Sequence, residues 1–147
     1  MATREYFDAV RRASEDIERC RRTIDELADW LPSRRGVPVG SPHGSSDPVY
    51  SSYTLHEAML SQAKADMNAA LEMVGEALVY IGGLRHLSPR MADVLELYYV
   101  DRLSWGEVAA ELHIGRSTAR LWRNIVCDEA DKLPRAYVMG MAGMENS

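Results

Sequence analysis

One phenylalanine and two cysteines are all that 147 residues contain of those types, and aromatic residues of every kind amount to 7%. So few aromatics, set beside eight methionines and many alanines, argue against a sheet sandwich and for closely packed helices. Cys20 and Cys127 stand far apart, which excludes a disulfide framework and fits free thiols in a reducing cytoplasm. No apolar run approaches the roughly 18 residues needed to cross a bilayer, so no membrane partner is expected. The opening Met1-Ala2-Thr3-Arg4-Glu5 turns polar at once, unlike a secretory leader. His43, His56, His86 and His113 lack ligand spacing with one another or with cysteine, so no metal site is expected. Gly-rich phosphate loops, nucleophile elbows and paired-carboxylate pockets are also missing, and the expectation is a non-enzyme without cofactor. The formal net charge of −5 excludes a chain that holds nucleic acid by bulk charge alone.

What is present is helical periodicity. From Arg4 to Leu31 neither glycine nor proline occurs, and two apolar rows repeat every seven residues. One is Val10, Ile17, Ile24 and Leu31; the other is Tyr6, Ala13, Cys20 and Leu27, offset by three or four as in a coiled-coil seam. Residues 32–53 then turn dense in proline, glycine and serine, and read as an exposed or disordered connector. From Thr54, with Glu57 three positions on, a second long helix is predicted. Its rows are Leu60, Met67, Val74, Ile81 and Ala63, Ala70, Ala77, Leu84, while Leu71 and Leu78 widen the stripe enough for a further subunit. Gly82-Gly83 either ends this helix or admits another backbone; a run to about His86 is expected.

Ser88-Pro89 restarts the pattern with an N-cap type of residue and proline at the first helical position. Met91, Val94, Leu95, Tyr98 and Tyr99 carry helical spacing as far as Val100. Ser104 and Glu107 then form a capping-box pair, bracketed by Leu103 and Val108 at the positions of a hydrophobic staple. Trp105, Val108, Ala109 and Leu112 form the buried face of a short helix. Ile114-Gly115 makes a turn, and a third helix runs from Arg116 to about Leu133, stopped by Pro134. Residues 135–147 read as a flexible tail.

Three helices with a tight turn between the last two is the helix-turn-helix arrangement. On a helical wheel of the third, Ala119, Trp122, Val126, Ala130 and Leu133 gather on one side. Arg116, Arg120 and Arg123 fall within about 60° of one another and read as the opposite side, flanked by Ser117 and Asn124. No acid occurs between Leu112 and Cys127. Arginine and asparagine can grip guanine and adenine edges with two hydrogen bonds each, so these five residues are the candidate DNA-binding set.

The stretch LSWGEVAAELHIGRSTARLWRNIVCDEADKL resembles region 4 of bacterial sigma-70-type factors. More closely, it resembles the sigma-region-4-like proteins of phages and prophages, small regulators with a coiled-coil N-terminal half. The residues that carry the resemblance are Leu95, Tyr98 and Tyr99, Ser104-Trp105, Glu107-Val108-Ala109, Leu112, Ile114, Thr118 and Leu133. Gly115 and Ala119 depart from it, where serine and valine are usual. The resemblance implies that the third helix recognises promoter DNA, with Arg116, Ser117, Arg120 and Arg123 in that role. The expected fold is all-α: a long antiparallel helical hairpin over residues 1–87, then a three-helix domain over 88–134. Double-stranded DNA is the expected partner. Because the segment from Ser88 to Leu133 has more acids than bases, a homodimer through the N-terminal helices or RNA polymerase is expected to add affinity. Two other classes share these features: a small-terminase-type DNA-packaging subunit, and an adaptor that meets an acidic protein instead of DNA.

Overall fold

The computed structural model describes residues 2–29 and 48–144, with side chains from residue 52 onward in the second stretch. Six α-helices appear there: α1 (Thr3–Asp29), α2 (Pro48–Leu84), α3 (Pro89–Leu95), α4 (Trp105–Leu112), α5 (Arg116–Asp131) and α6 (Arg135–Met141). A π turn, Glu96–Val100, extends α3. The described residues contain no strand, as the all-α expectation required. Most of the expected connector at 32–53 lies outside the described residues, as do Leu31 and the side chains of Val49 and Tyr50. Its last part does not: α2 begins at Pro48, ahead of the Thr54 start expected from sequence. Proline suits a first helical turn, since its φ is already helical and its missing N–H would have gone unpaired there.

The chain divides into two compact units, one of residues 1–15 with 70–147 and one of residues 16–69. In the smaller unit α1 packs against α2 through Cys20 and Ala63, both buried, with Ile17, Ile24 and Leu27 half-buried. His56 is also buried there, and its Nε2–H donates to the Leu27 carbonyl at 2.5 Å.

The larger unit is where the helix-turn-helix sits, and it reaches across the boundary expected near residue 87. The first turns of α1 and the last turns of α2 belong to it. Phe7 and Val10 are fully buried in this unit, beside Ala77, Ile81 and Leu84 of α2. Phe7 meets Tyr80 and Tyr99 at ring-centroid distances of 5.8 and 5.4 Å, and Tyr6 meets Tyr80 at 5.9 Å. Aromatic pairs in this range add to what their burial contributes. At the start of α1, the Thr3 amide and hydroxyl both donate to Asp131 near the end of α5, at 2.8 and 2.5 Å.

A π turn widens the helix and disturbs the regular pairing of carbonyls near it. Here α1 supplies partners: Arg11 donates to the Tyr98 and Leu103 carbonyls, and the Ser14 hydroxyl to that of Val100 at 2.6 Å. Thus α1 braces the loop that leads into α4.

Residues 135–147, expected as a flexible tail, instead contain α6, with Val138 fully buried. The reason is Gly83. A β-carbon at that position would stand 1.8 Å from the Val138 carbonyl oxygen, so only glycine lets the two backbones come this close. Both readings of Gly82-Gly83 are realised: another backbone comes close, and α2 ends at Leu84, short of the expected run to His86.

Candidate nucleic-acid interface

The helix-turn-helix is built around Val94, Val108 and Ala119, all fully buried. Leu97, Tyr98, Leu103, Trp105, Leu112, Ile114 and Trp122 pack around them. Val94 comes from α3, Val108 from α4 and Ala119 from α5, so one cluster fixes three helices. The expected capping box is made: the Glu107 N–H donates to the Ser104 hydroxyl at 3.2 Å, and the Ser104 N–H to the Glu107 carboxylate at 3.1 Å. That backbone bond, with the Ser104 side chain next, holds the Glu107 carboxyl below the usual carboxylate range. Leu103 and Val108 share the cluster, as the staple positions anticipated.

The turn is closed by His113 in the left-handed region (φ 57°) and by the Ile114 N–H donating to the Ala109 carbonyl at 2.9 Å. Gly115 is the N-cap of α5 and offers no side chain to it. The first intrahelical bond there runs from the Ala119 N–H to the Gly115 carbonyl at 3.0 Å. The earlier amides of α5 therefore lack helical partners, as at any helix start.

The five expected contact residues do not share one situation. Arg116, Ser117 and Arg120 are exposed on the first two turns of α5. Arg116 and Arg120 make no ion pair among the described residues. The Arg116 guanidinium lies alongside α4, where a β-carbon on Gly106 would stand 2.9 Å from it.

Arg123 is different. It is half-buried, with its Nε donating to the Asn124 Oδ1 at 2.8 Å and its Nη1 to the Tyr99 hydroxyl at 3.1 Å. Its guanidinium also sits 5.1 Å from the Trp105 ring centre. Asn124 is half-buried too, with its carbonyl oxygen occupied by that bond.

The expectation of three arginines opposite the apolar side is therefore corrected. The buried residues of α5 are Ala119, Val126, Cys127 and Ala130. At 100° per residue the centre of that arc lies only about 20° from Arg123 and about 80° from Arg120. Cys127, one turn beyond Arg123, is fully buried and draws the arc toward the arginines. Burial also pushes its thiol up to about 12. The side chain facing straight out from α5 is Leu121, which the sequence reading did not select and which is 55% exposed.

Trp105 and Trp122 serve packing, as expected. Trp105 stacks on Tyr98 at 4.0 Å between ring centres, and Arg90 covers Trp122 while donating to the Leu112 carbonyl at 2.9 Å. Arg85 is held by Asp93 and Glu96 at 3.1 and 2.8 Å. Among these cations, Arg116 and Arg120 are the pair without a hydrogen bond or ion pair among the described residues, although Arg116 lies against Gly106.

Residues 83–121 match the family described as Sigma-70, region 4. The match starts in the last turn of α2 and ends in the second turn of α5, so it contains α3, the π turn, α4 and the exposed arginines. No curated protein and no solved structure matches the chain. Fold, turn geometry and match agree: the chain carries a sigma-70 region 4-like helix-turn-helix, which supports a DNA-binding regulatory function.

Proposed function

We propose that this protein is a transcription regulator, encoded by a phage or prophage, that reads the major groove with the first two turns of α5. The carrying observation is the pair Arg116 and Arg120, exposed with Ser117 inside the matched segment and without an ion pair among the described residues, while Arg85, Arg90 and Arg123 are engaged by the body. In this reading Arg120 pairs two guanidinium N–H groups with a guanine edge. Arg116 and the unpaired amides at the start of α5 hold a phosphate, which sets register. Ser117 reaches the backbone or a base edge. Arg123 acts one step back, by holding the Asn124 side chain through its carbonyl oxygen.

Two outward arginines neutralise few phosphates, and affinity follows that number. A second copy or RNA polymerase completes the interface in this reading. For the second copy we favour the α2 face, where Leu71, Leu78 and Val79 are exposed on either side of Gly75. A β-carbon on Gly75 would meet nothing within 4 Å, so the surface between the leucines is open.

The test is selection of a binding site from random duplex DNA, followed by titration at several salt concentrations. A selected site is expected, with affinity falling as salt rises. Arg120→Ala is expected to cost about 1–3 kcal/mol on that site. Light scattering is expected to give a monomer or dimer; a ring of many copies would favour the packaging class. Absence of any salt-dependent DNA binding overturns the proposal.

A further inference from the structure

An apolar side chain occupies the most outward position of α5. Leu121 lies about 180° from the centre of the buried arc, in the second turn, where the helix stands clear of its own body. It is more than half exposed, and it adjoins Arg120 while sitting one turn from Ser117 and Asn124. A leucine there adds nothing to the packing of α3, α4 and α5, whose shared cluster lies on the other side of α5.

Resting on the DNA-binding reading above, we propose that Leu121 is a specificity-determining residue that reads thymine. The reasoning is chemical. Of the four base edges in the major groove, only thymine presents an apolar group, its C5-methyl; the others present hydrogen-bonding atoms. An isobutyl side chain can form no hydrogen bond. Its preference therefore comes from burying that methyl, and from leaving a cytosine amino group dehydrated without a partner when the base is wrong.

Deoxyuridine tests this, since it differs from thymidine by that methyl alone. In the selected site, each thymine is replaced in turn and binding is titrated for the full chain and for Leu121→Ala. The wild-type chain is expected to lose about four-fold at one position, the factor for one buried methyl group. Leu121→Ala is expected to bind the thymine site at least as weakly and to stop distinguishing thymine from deoxyuridine there. Its other base preferences should be unchanged, and its thermal unfolding should match wild type. A wild-type chain that binds its site selectively yet ignores every thymine methyl overturns the proposal and leaves the DNA reading intact. So does a Leu121→Ala chain that keeps the preference. A chain that selects no DNA fails earlier, at the selection step, and overturns both readings.

Discussion

Arg123 and Arg120 lie three residues apart on the same helix, one half-buried and hydrogen-bonded, the other exposed, and the proposed function gives them different roles. Replacing Arg123 by alanine removes a charge-assisted hydrogen bond to Tyr99, whose ring is fully buried, and a guanidinium–indole contact with Trp105. A hydrogen bond to a charged group contributes about 1.5–3 kcal/mol, and a partly exposed cation–π contact about 0.5–1 kcal/mol. Loss of both, discounted for solvent at a half-buried site, comes to about 2–3 kcal/mol. In a chain of this size that lowers the melting temperature by roughly 5–10 °C. Arg120 is exposed and unpaired, so Arg120→Ala should stay within about 0.5 kcal/mol of wild type. Urea and thermal unfolding followed by circular dichroism measure both. The DNA titration should show the reverse order, with Arg120→Ala the more damaging once Arg123→Ala is assayed well below its own melting temperature. If Arg123→Ala proves as stable as wild type, the reading of Arg123 as a bracing residue is wrong. It would then rejoin Arg120 as a direct contact.

Other expectations follow from the same geometry. Gly83→Ala drives a β-carbon into the Val138 carbonyl, so α6 should detach; hydrogen exchange at residues 135–141 should accelerate while the α4 and α5 amides remain protected. Ser104→Ala should cost about 1 kcal/mol through the lost cap, read by denaturant titration. The Glu107 carboxyl is lowered by the Ser104 N–H and hydroxyl, and that of Asp131 by the Thr3 hydroxyl and N–H. Groups lowered in the folded state stabilise it above the ordinary carboxylate pKa, and the gain disappears as pH falls through the lowered values. Stability should thus decline in acid below about pH 4, with a weaker decline in Glu107→Gln. Cys127 should resist iodoacetamide at pH 8 in the folded chain and react once urea unfolds it, because its buried thiol stays protonated.

Much of the fold was legible in the order of residues. The rows Ala63, Ala70, Ala77 and Leu84 are buried as their spacing implied, and Ser104 with Glu107 closes its box because a cap depends only on near neighbours. Phe7 was invisible to that approach, since it falls outside both seven-residue rows of α1. Its burial comes from Tyr80 and Tyr99, which are distant in sequence. Arg123 is a different case. At 100° per residue it already stands only about 60° from the centre of the side formed by Ala119, Trp122, Val126, Ala130 and Leu133, so its place at the edge of the core was legible; its bond to Tyr99, distant in sequence, was not.

Sequence by itself determined that this chain is helical, where α3, α4 and α5 start, and that it contains a helix-turn-helix resembling sigma region 4. Periodicity, capping and turn chemistry act over a few residues, so they can be read locally. Only the tertiary structure decided which arginines the body keeps and which it leaves to solvent. It also decided that Gly83 draws α6 onto α2, and that the first turns of α1 brace the loop before α4. Those outcomes depend on surfaces that chain distance separates and packing brings together.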